Sequence, residues 1–145
     1  MNVRSILPFL LLTPLLAAGC NTQTADNSTT GPAAPIITEP TYSGTLSVSQ
    51  TRVYTFNVTA IGPLTVTMTA AGPPPTIAVG LVVGTPTFST TGTICTPVTT
   101  AINATASTTP QISGTPQSTG SYCLAVFDPG TLTSDISYTI IVTHT

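Results

Sequence analysis

The chain has 145 residues, of which 41% are hydrophobic and 4% charged, with two basic and four acidic side chains and a formal net charge of −2. That balance excludes nucleic acid as a partner, because no basic footprint exists to displace phosphate counterions. It also excludes a coiled coil or an acidic interaction tail, which need charge runs, and a mean hydropathy of +0.42 excludes charge-driven disorder. With 33 threonines and no tryptophan, the composition is that of a β-prone chain of one domain.

Residues 1–19 read as an export signal. Arg4 supplies the positive start, and Ile6 to Leu16 form an apolar run too short for a membrane-spanning helix. Small residues close it in Leu16-Ala17-Ala18-Gly19-Cys20. This segment resembles the lipobox of bacterial lipoproteins, with Ala17 at the position where leucine is commonest. The resemblance implies cleavage before Cys20, a diacylglyceryl group on its sulfur and an acyl chain, such as palmitate, on its amine. Asn21 in place of aspartate implies sorting to the outer membrane, where the host has one. Two or three acyl chains make membrane residence effectively permanent, whereas one holds only marginally.

Residues 20–40 are the lipidated cysteine and a Thr-, Asn-, Ala- and Pro-rich stretch without hydrophobic period, which reads as a flexible tether. Ile36 and Ile37 are its alternative reading, as the start of a first strand. Residues 41–145 form the domain. Arg52 to Val58 places Tyr54, Phe56 and Val58 on one face. Leu64 to Thr69 and Ile136 to Val142 alternate apolar residues with Thr or Ser in the same way. Such alternation predicts strands with one buried and one wet face. Ile77 to Val83 is apolar on both faces and predicts a central strand. Pro- and Gly-containing turns separate the segments and leave no room for a long helix. Residues 87–109 lack a clear pattern and read as one or two irregular strands and loops. The expected fold is all-β: a single antiparallel β-sandwich of about seven or eight short strands.

Three stretches carry a second resemblance: Ser43-Gly44-Thr45-Leu46, Tyr54-Thr55-Phe56-Asn57-Val58 leading into Leu64-Thr65-Val66, and Gly120-Ser121-Tyr122-Cys123-Leu124-Ala125-Val126 followed by Tyr138-Thr139-Ile140-Ile141-Val142. Their order resembles the bacterial pre-peptidase C-terminal domain, over about residues 43–143. The resemblance implies a jelly-roll-like sandwich and a non-catalytic module. Members that bind collagen carry an acidic calcium-binding linker; here residues 21–42 offer only Asp26 and Glu39, so neither collagen nor calcium is carried over.

With Cys20 lipidated, Cys95 and Cys123 remain as an even pair in an oxidising compartment and read as a disulfide. Neither has the neighbours or spacing of a metal site. If Tyr122, Leu124 and Val126 face the core, Cys123 faces outward. No catalytic set is read from the sequence. His144, the single histidine, lies next to the last residue, where chains fray. Asp128 and Asp135 could form a carboxylate pair or a weak calcium site, although calcium wants six to eight oxygens. The Asp128-Pro129-Gly130 sequence reads more simply as a turn capped by its own aspartate. No cofactor or metal is expected. Phe88 and Phe127 are the aromatic residues left over from the core faces, and together they would make the best ligand patch, beside the disulfide.

These readings converge on an exported protein, lipid-anchored to the bacterial cell envelope through Cys20. Its sandwich would serve as a non-catalytic binding or scaffolding module for a protein or glycan partner. The alternative is a carbohydrate-binding module using Phe88 and Phe127.

Overall fold

Every segment with alternating apolar residues becomes a strand. The computed structural model describes residues 35–38 and 41–145. Among these the strands are β1 (Ile37–Thr38), β2 (Tyr42–Leu46), β3 (Thr51–Val58), β4 (Leu64–Gly72), β5 (Val79–Ser89), β6 (Gly92–Ala104), β7 (Ile112–Gly114), β8 (Gly120–Phe127) and β9 (Ile136–His144). The signal segment, Cys20 and most of the expected tether lie outside the described residues. The tether expected to reach residue 40 is interrupted: β1 pairs with the end of β9, Ile37 opposite His144.

All pairings are antiparallel. One sheet runs β1-β9-β4-β7, with β2 on the same edge of β9 as β1, so it is four strands wide. The other runs β3-β8-β5-β6. Apart from the β5–β6 hairpin, successive strands from β2 to β9 alternate between the sheets, which is jelly-roll connectivity. The all-β sandwich expected from the alternation is the fold observed.

Leu46, Val58, Met68, Leu81, Leu124 and Ile140 fill the space between the sheets and are essentially unexposed. Phe56, Tyr122 and Tyr138 join them, on the faces assigned from period two. Removing any one of the large aliphatic side chains should cost about 2–5 kcal/mol, by lost transfer energy and cavity formation. Strand β5 is central, between β8 and β6, and Val79 to Gly84 are buried on both faces. In β4 the alternation slips at a bulge between Met68 and Ala70, so Ala71 rather than Ala70 is buried.

That bulge lies where β4 loses its outer neighbour. Strand β7 pairs only as far as Ile112 opposite Val66. Beyond it the Gln111 N–H donates to the Val66 carbonyl (2.9 Å), and the Met68 N–H donates to Gln111 Oε1 (2.6 Å). The Ser107 N–H completes the row on the Met68 carbonyl (2.9 Å), and Gln111 Nε2 donates to the Thr105 carbonyl (2.9 Å). One glutamine side chain thus stands in for a strand. Replacing it (Gln111→Ala) leaves the Met68 N–H without its acceptor and should lower stability by about 1–3 kcal/mol. The check is chemical denaturation, with faster hydrogen exchange at Met68 as the local signature.

Candidate functional site

The Cys95–Cys123 disulfide is present, with Cα atoms 5.7 Å apart. Tyr122, Leu124 and Val126 are in the core, so the alternate residues Cys123, Ala125 and Phe127 project from the outer face of β8. Along the sheet Cys123 pairs with Gly84, while Cys95 pairs with Pro86. In a flat sheet Cys95 and Cys123 would be two strands apart, about 10 Å. The bridge closes that gap because the β5–β6 ribbon folds over the outer face. Strand β5 pairs with β8 only from Gly80 to Gly84 and then leaves it, and β6 comes close to both β8 and β3. Gly84 is the crossing point: a Cβ there would sit 1.9 Å from the Thr96 carbonyl oxygen. The fold-over seals the outer face, leaving Cys123 fully buried and Val82 and Ala125 nearly so.

Residues 87–109, expected to be one or two irregular strands and loops, comprise the end of β5, the thirteen-residue β6, whose pairing with β5 slips twice, and a loop over 105–109; the length of β6, the longest strand among those described, is what the sequence did not announce. Their alternation is missing because much of the ribbon has no core to face. Threonine supplies the extended backbone preference, and the large apolar side chains of β6, Ile94, Val98 and Ile102, are left exposed between the threonines. The ribbon is closed by a turn in which Ser89 Oγ donates to the Gly92 carbonyl (2.9 Å) and lies 3.0 Å from Thr91 Oγ1.

Phe88, near that turn, is 69% exposed. Phe127 is half-buried, and its ring covers Gly80 so closely that a Cβ there would lie 2.1 Å from Cζ. Phe127 pairs with Gly80, and Phe88 follows eight residues later on β5, about 25 Å along the strand. The two rings that sequence reasoning joined into one patch therefore stand apart. Phe127 shares the outer face with Cys123 as expected, but as a cover for the backbone of β5.

Asp128 is a junction. Its Oδ1 accepts from the N–H groups of Gly130 (2.8 Å), Thr131 (2.9 Å) and Leu132 (3.1 Å), which caps its own turn. Its Oδ2 accepts from the Ser49 N–H (2.9 Å), and its own N–H donates to the Gln50 carbonyl (3.0 Å). The turn between β2 and β3 is thereby tied to the loop after β8. The Ser49 N–H above all holds this carboxyl below the ordinary aspartate value; desolvation, the next largest effect, opposes it, and the N–H groups of Leu132, Gly130 and Thr131 add to the lowering. Both oxygens are thus taken up by backbone donors. Asp135 is exposed just before β9, and no cluster of three His, Cys, Asp or Glu side chains occurs among the described residues.

His144 departs from the expectation of a frayed end. It is fully buried at the end of β9, its ring stacks on Phe56 (centroids 5.5 Å apart), and Nδ1 lies 3.1 Å from the Thr145 carbonyl oxygen. That carbonyl also accepts from the Thr59 and Ala60 N–H groups (3.2 and 3.3 Å), while Thr145 Oγ1 donates to the Ala60 carbonyl (2.8 Å). His144 and Thr145 are pinned because β9 runs between β1 and β4, its end bonds to Thr59 and Ala60 after β3, and the His144 ring closes the core under Phe56. At the edge near β2, Tyr54 and Tyr138 share a hydroxyl–hydroxyl hydrogen bond of 2.6 Å, and Tyr42 packs on Tyr54 with centroids 4.8 Å apart. Burial first, and then the bond to Tyr54, push the Tyr138 phenol well above its ordinary value, so it stays neutral. Period two placed Tyr54 and Tyr138 each on the core face of its strand, but only the packing of the two sheets pairs them.

An apolar crevice of about 40 Å³ opens between the sheets where β5 departs, lined by Leu64, Val83, Ile112, Pro116 and Tyr122. It is far below the roughly 300 Å³ of a small-molecule site. A larger hollow of about 350 Å³ at the end of β6 is wide open, and its Gln111 and Thr105 walls already bond to each other. The chain matches no protein-family model, and a search of curated proteins returns no match.

Two outcomes follow from this geometry. Gly84→Val forces a side chain into the Thr96 carbonyl, and overpacking at this crossing should cost at least about 1–3 kcal/mol. Hydrogen exchange should rise selectively in residues 92–97. Asp128 titrates below its unfolded value of 3.8, so its contribution is fully present above that pH and is lost as pH falls through the lowered folded value. Asp128→Asn should be less stable than wild type at pH 7, with the gap closing below about pH 4. A gap unchanged at pH 2 would refute the assignment.

Proposed function

We propose that this protein is a lipid-anchored component of the bacterial cell envelope, held by Cys20, whose sandwich is a non-catalytic binding or scaffolding module. The observation that carries the reading is where the reactive side chains go. Asp128 is engaged by four backbone N–H donors, and His144 is buried against Phe56. Both serve the scaffold, whereas the long β5–β6 ribbon displays threonine hydroxyls and apolar side chains without a charge. A surface of that kind suits adhesion or presentation better than acid–base chemistry, which needs a group free to exchange a proton.

The carbohydrate-binding alternative needs stacking platforms. Of its two aromatics only Phe88 is fully displayed, so it rests on one ring instead of a pair. Binding of a glycan that fails with Phe88→Ala and survives Phe127→Ala would favour it.

The test of the main reading is the intact mass of protein extracted from native membranes, with and without reduction and alkylation. The expected mass is that of residues 20–145 plus acyl chains, with two thiols alkylated only after reduction. Cys20→Ser should abolish the acyl increment and release the protein from membranes. A mass without lipid refutes the anchor. A hydrolase activity of the purified protein that disappears in Asp128→Asn refutes the non-catalytic assignment.

A further inference from the structure

The charged side chains among the described residues, Arg52, Asp128 and Asp135, stand at one end of the sandwich: near the start of β3, just after β8 and just before β9. Strands β3, β5 and β9 all run away from that end. Arg52 pairs with Val126, β5 is antiparallel to β8 as β3 is, and the end of β3 meets Thr145 beyond β9. No charged residue occurs between Val53 and Phe127. The far end therefore lacks charged side chains among the described residues, and Ile61 in its β3–β4 loop is 60% exposed. The chain also enters the domain there, at Ile37 beside His144.

The β5–β6 ribbon leaves the sheet at Gly84 running toward this uncharged end, and its tip is built to lose water cheaply. Phe88 and Ile94 are 69% and 60% exposed and, with Phe88 opposite Thr93 and Ile94 opposite Thr87, project from opposite faces of the ribbon beside its turn, so both meet a surface that the tip enters end-on. The turn hydroxyls bond to one another and to the Gly92 carbonyl, so part of the polar surface is already satisfied. Cys95, next to Ile94, fixes the ribbon to β8, so the tip does not have to be ordered when it binds.

We infer that this tip is a bilayer-contacting element, with Phe88 and Ile94 seated in the interfacial region of a phospholipid membrane. The inference rests on the lipid-anchor reading for its source of proximity. Cys20 precedes Pro35 by fifteen residues, which reach at most about 50 Å fully extended. An acylated Cys20 thus confines the domain near the membrane, and a contact too weak to hold alone becomes populated at that effective concentration. A phospholipid surface is the fitting occupant because the tip presents two large apolar groups and no charge. A recognition partner that reads charge would find nothing to pair with.

The chain contains no tryptophan, so Phe88→Trp introduces a single fluorescent reporter. The lipidated full chain is placed in phosphatidylcholine vesicles, and quenching by brominated lipid is compared with that of Val48→Trp, in the turn at the charged end. The expected result is a blue-shifted emission for Phe88→Trp with quenching several-fold stronger than for Val48→Trp, and loss of the blue shift on adding Ile94→Ser. Equal or absent quenching at the two positions, with the protein still vesicle-bound, overturns the inference. The unlipidated Cys20→Ser chain separates it from the anchor reading. If native Cys20 carries no lipid but excess vesicles shift Phe88→Trp emission, the anchor fails and the tip stands. No shift at saturating lipid overturns the tip. A shift that depends on protein concentration without vesicles also overturns it, in favour of contact between copies of the chain.

Discussion

An almost uncharged chain of β-branched residues makes strands easily, and each sheet it makes has two open edges that invite another strand. Proteins commonly guard such edges with lysine or glutamate, and here no charged residue occurs from Val53 to Phe127. The structure meets this constraint by backbone and side-chain devices. Beyond Val66, Gln111 and Ser107 take the hydrogen bonds that another strand would otherwise satisfy. On the other side of that sheet, β2 pairs with Ile136 to Ile140 of β9 and β1 with Thr143 and His144. In the second sheet the β5–β6 ribbon folds onto the outer face and is fixed there by the Cys95–Cys123 bridge.

The fold-over links stability to surface character. A disulfide that closes a loop with a sequence separation of 28 stabilises by about 3.5 kcal/mol in the chain-entropy account. Its second effect is to hide Cys123, Val82 and Ala125 while leaving Phe88 and Ile94 displayed. The same crossing opens the small crevice beside Tyr122, because β5 no longer covers that part of β8. One close approach of two backbones at Gly84 thus decides which apolar groups are core and which are surface.

The two ends of the sandwich are closed by different chemistry. At one, the Asp128 carboxylate gathers four backbone N–H groups and joins two turns. At the other, His144 and Thr145 close the core through ring stacking and hydrogen bonds to Thr59 and Ala60. Both are structural uses of residues that a search for catalytic chemistry would single out first, because a side chain able to bind a substrate can equally satisfy an orphaned backbone group.

Local patterning determined much of this protein. Period two in Tyr54-Phe56-Val58, Leu64-Val66-Met68 and Ile136-Tyr138-Ile140-Val142 set the buried faces, because side chains of a strand alternate whatever the strand pairs with. The doubly apolar run ending at Val83 marked the central strand, and the Asp-Pro-Gly turn announced its own cap. Tertiary structure alone decided the rest. It made residues 92–104 a long strand whose Ile94, Val98 and Ile102 stay exposed, buried His144, set Phe127 over Gly80 and parted it from Phe88. These depend on which strands become neighbours and where two backbones cross. Such distances arise only when residues far apart in sequence are brought together, as Thr96 is over Gly84 and Cys95 against Cys123, and no local periodicity records them.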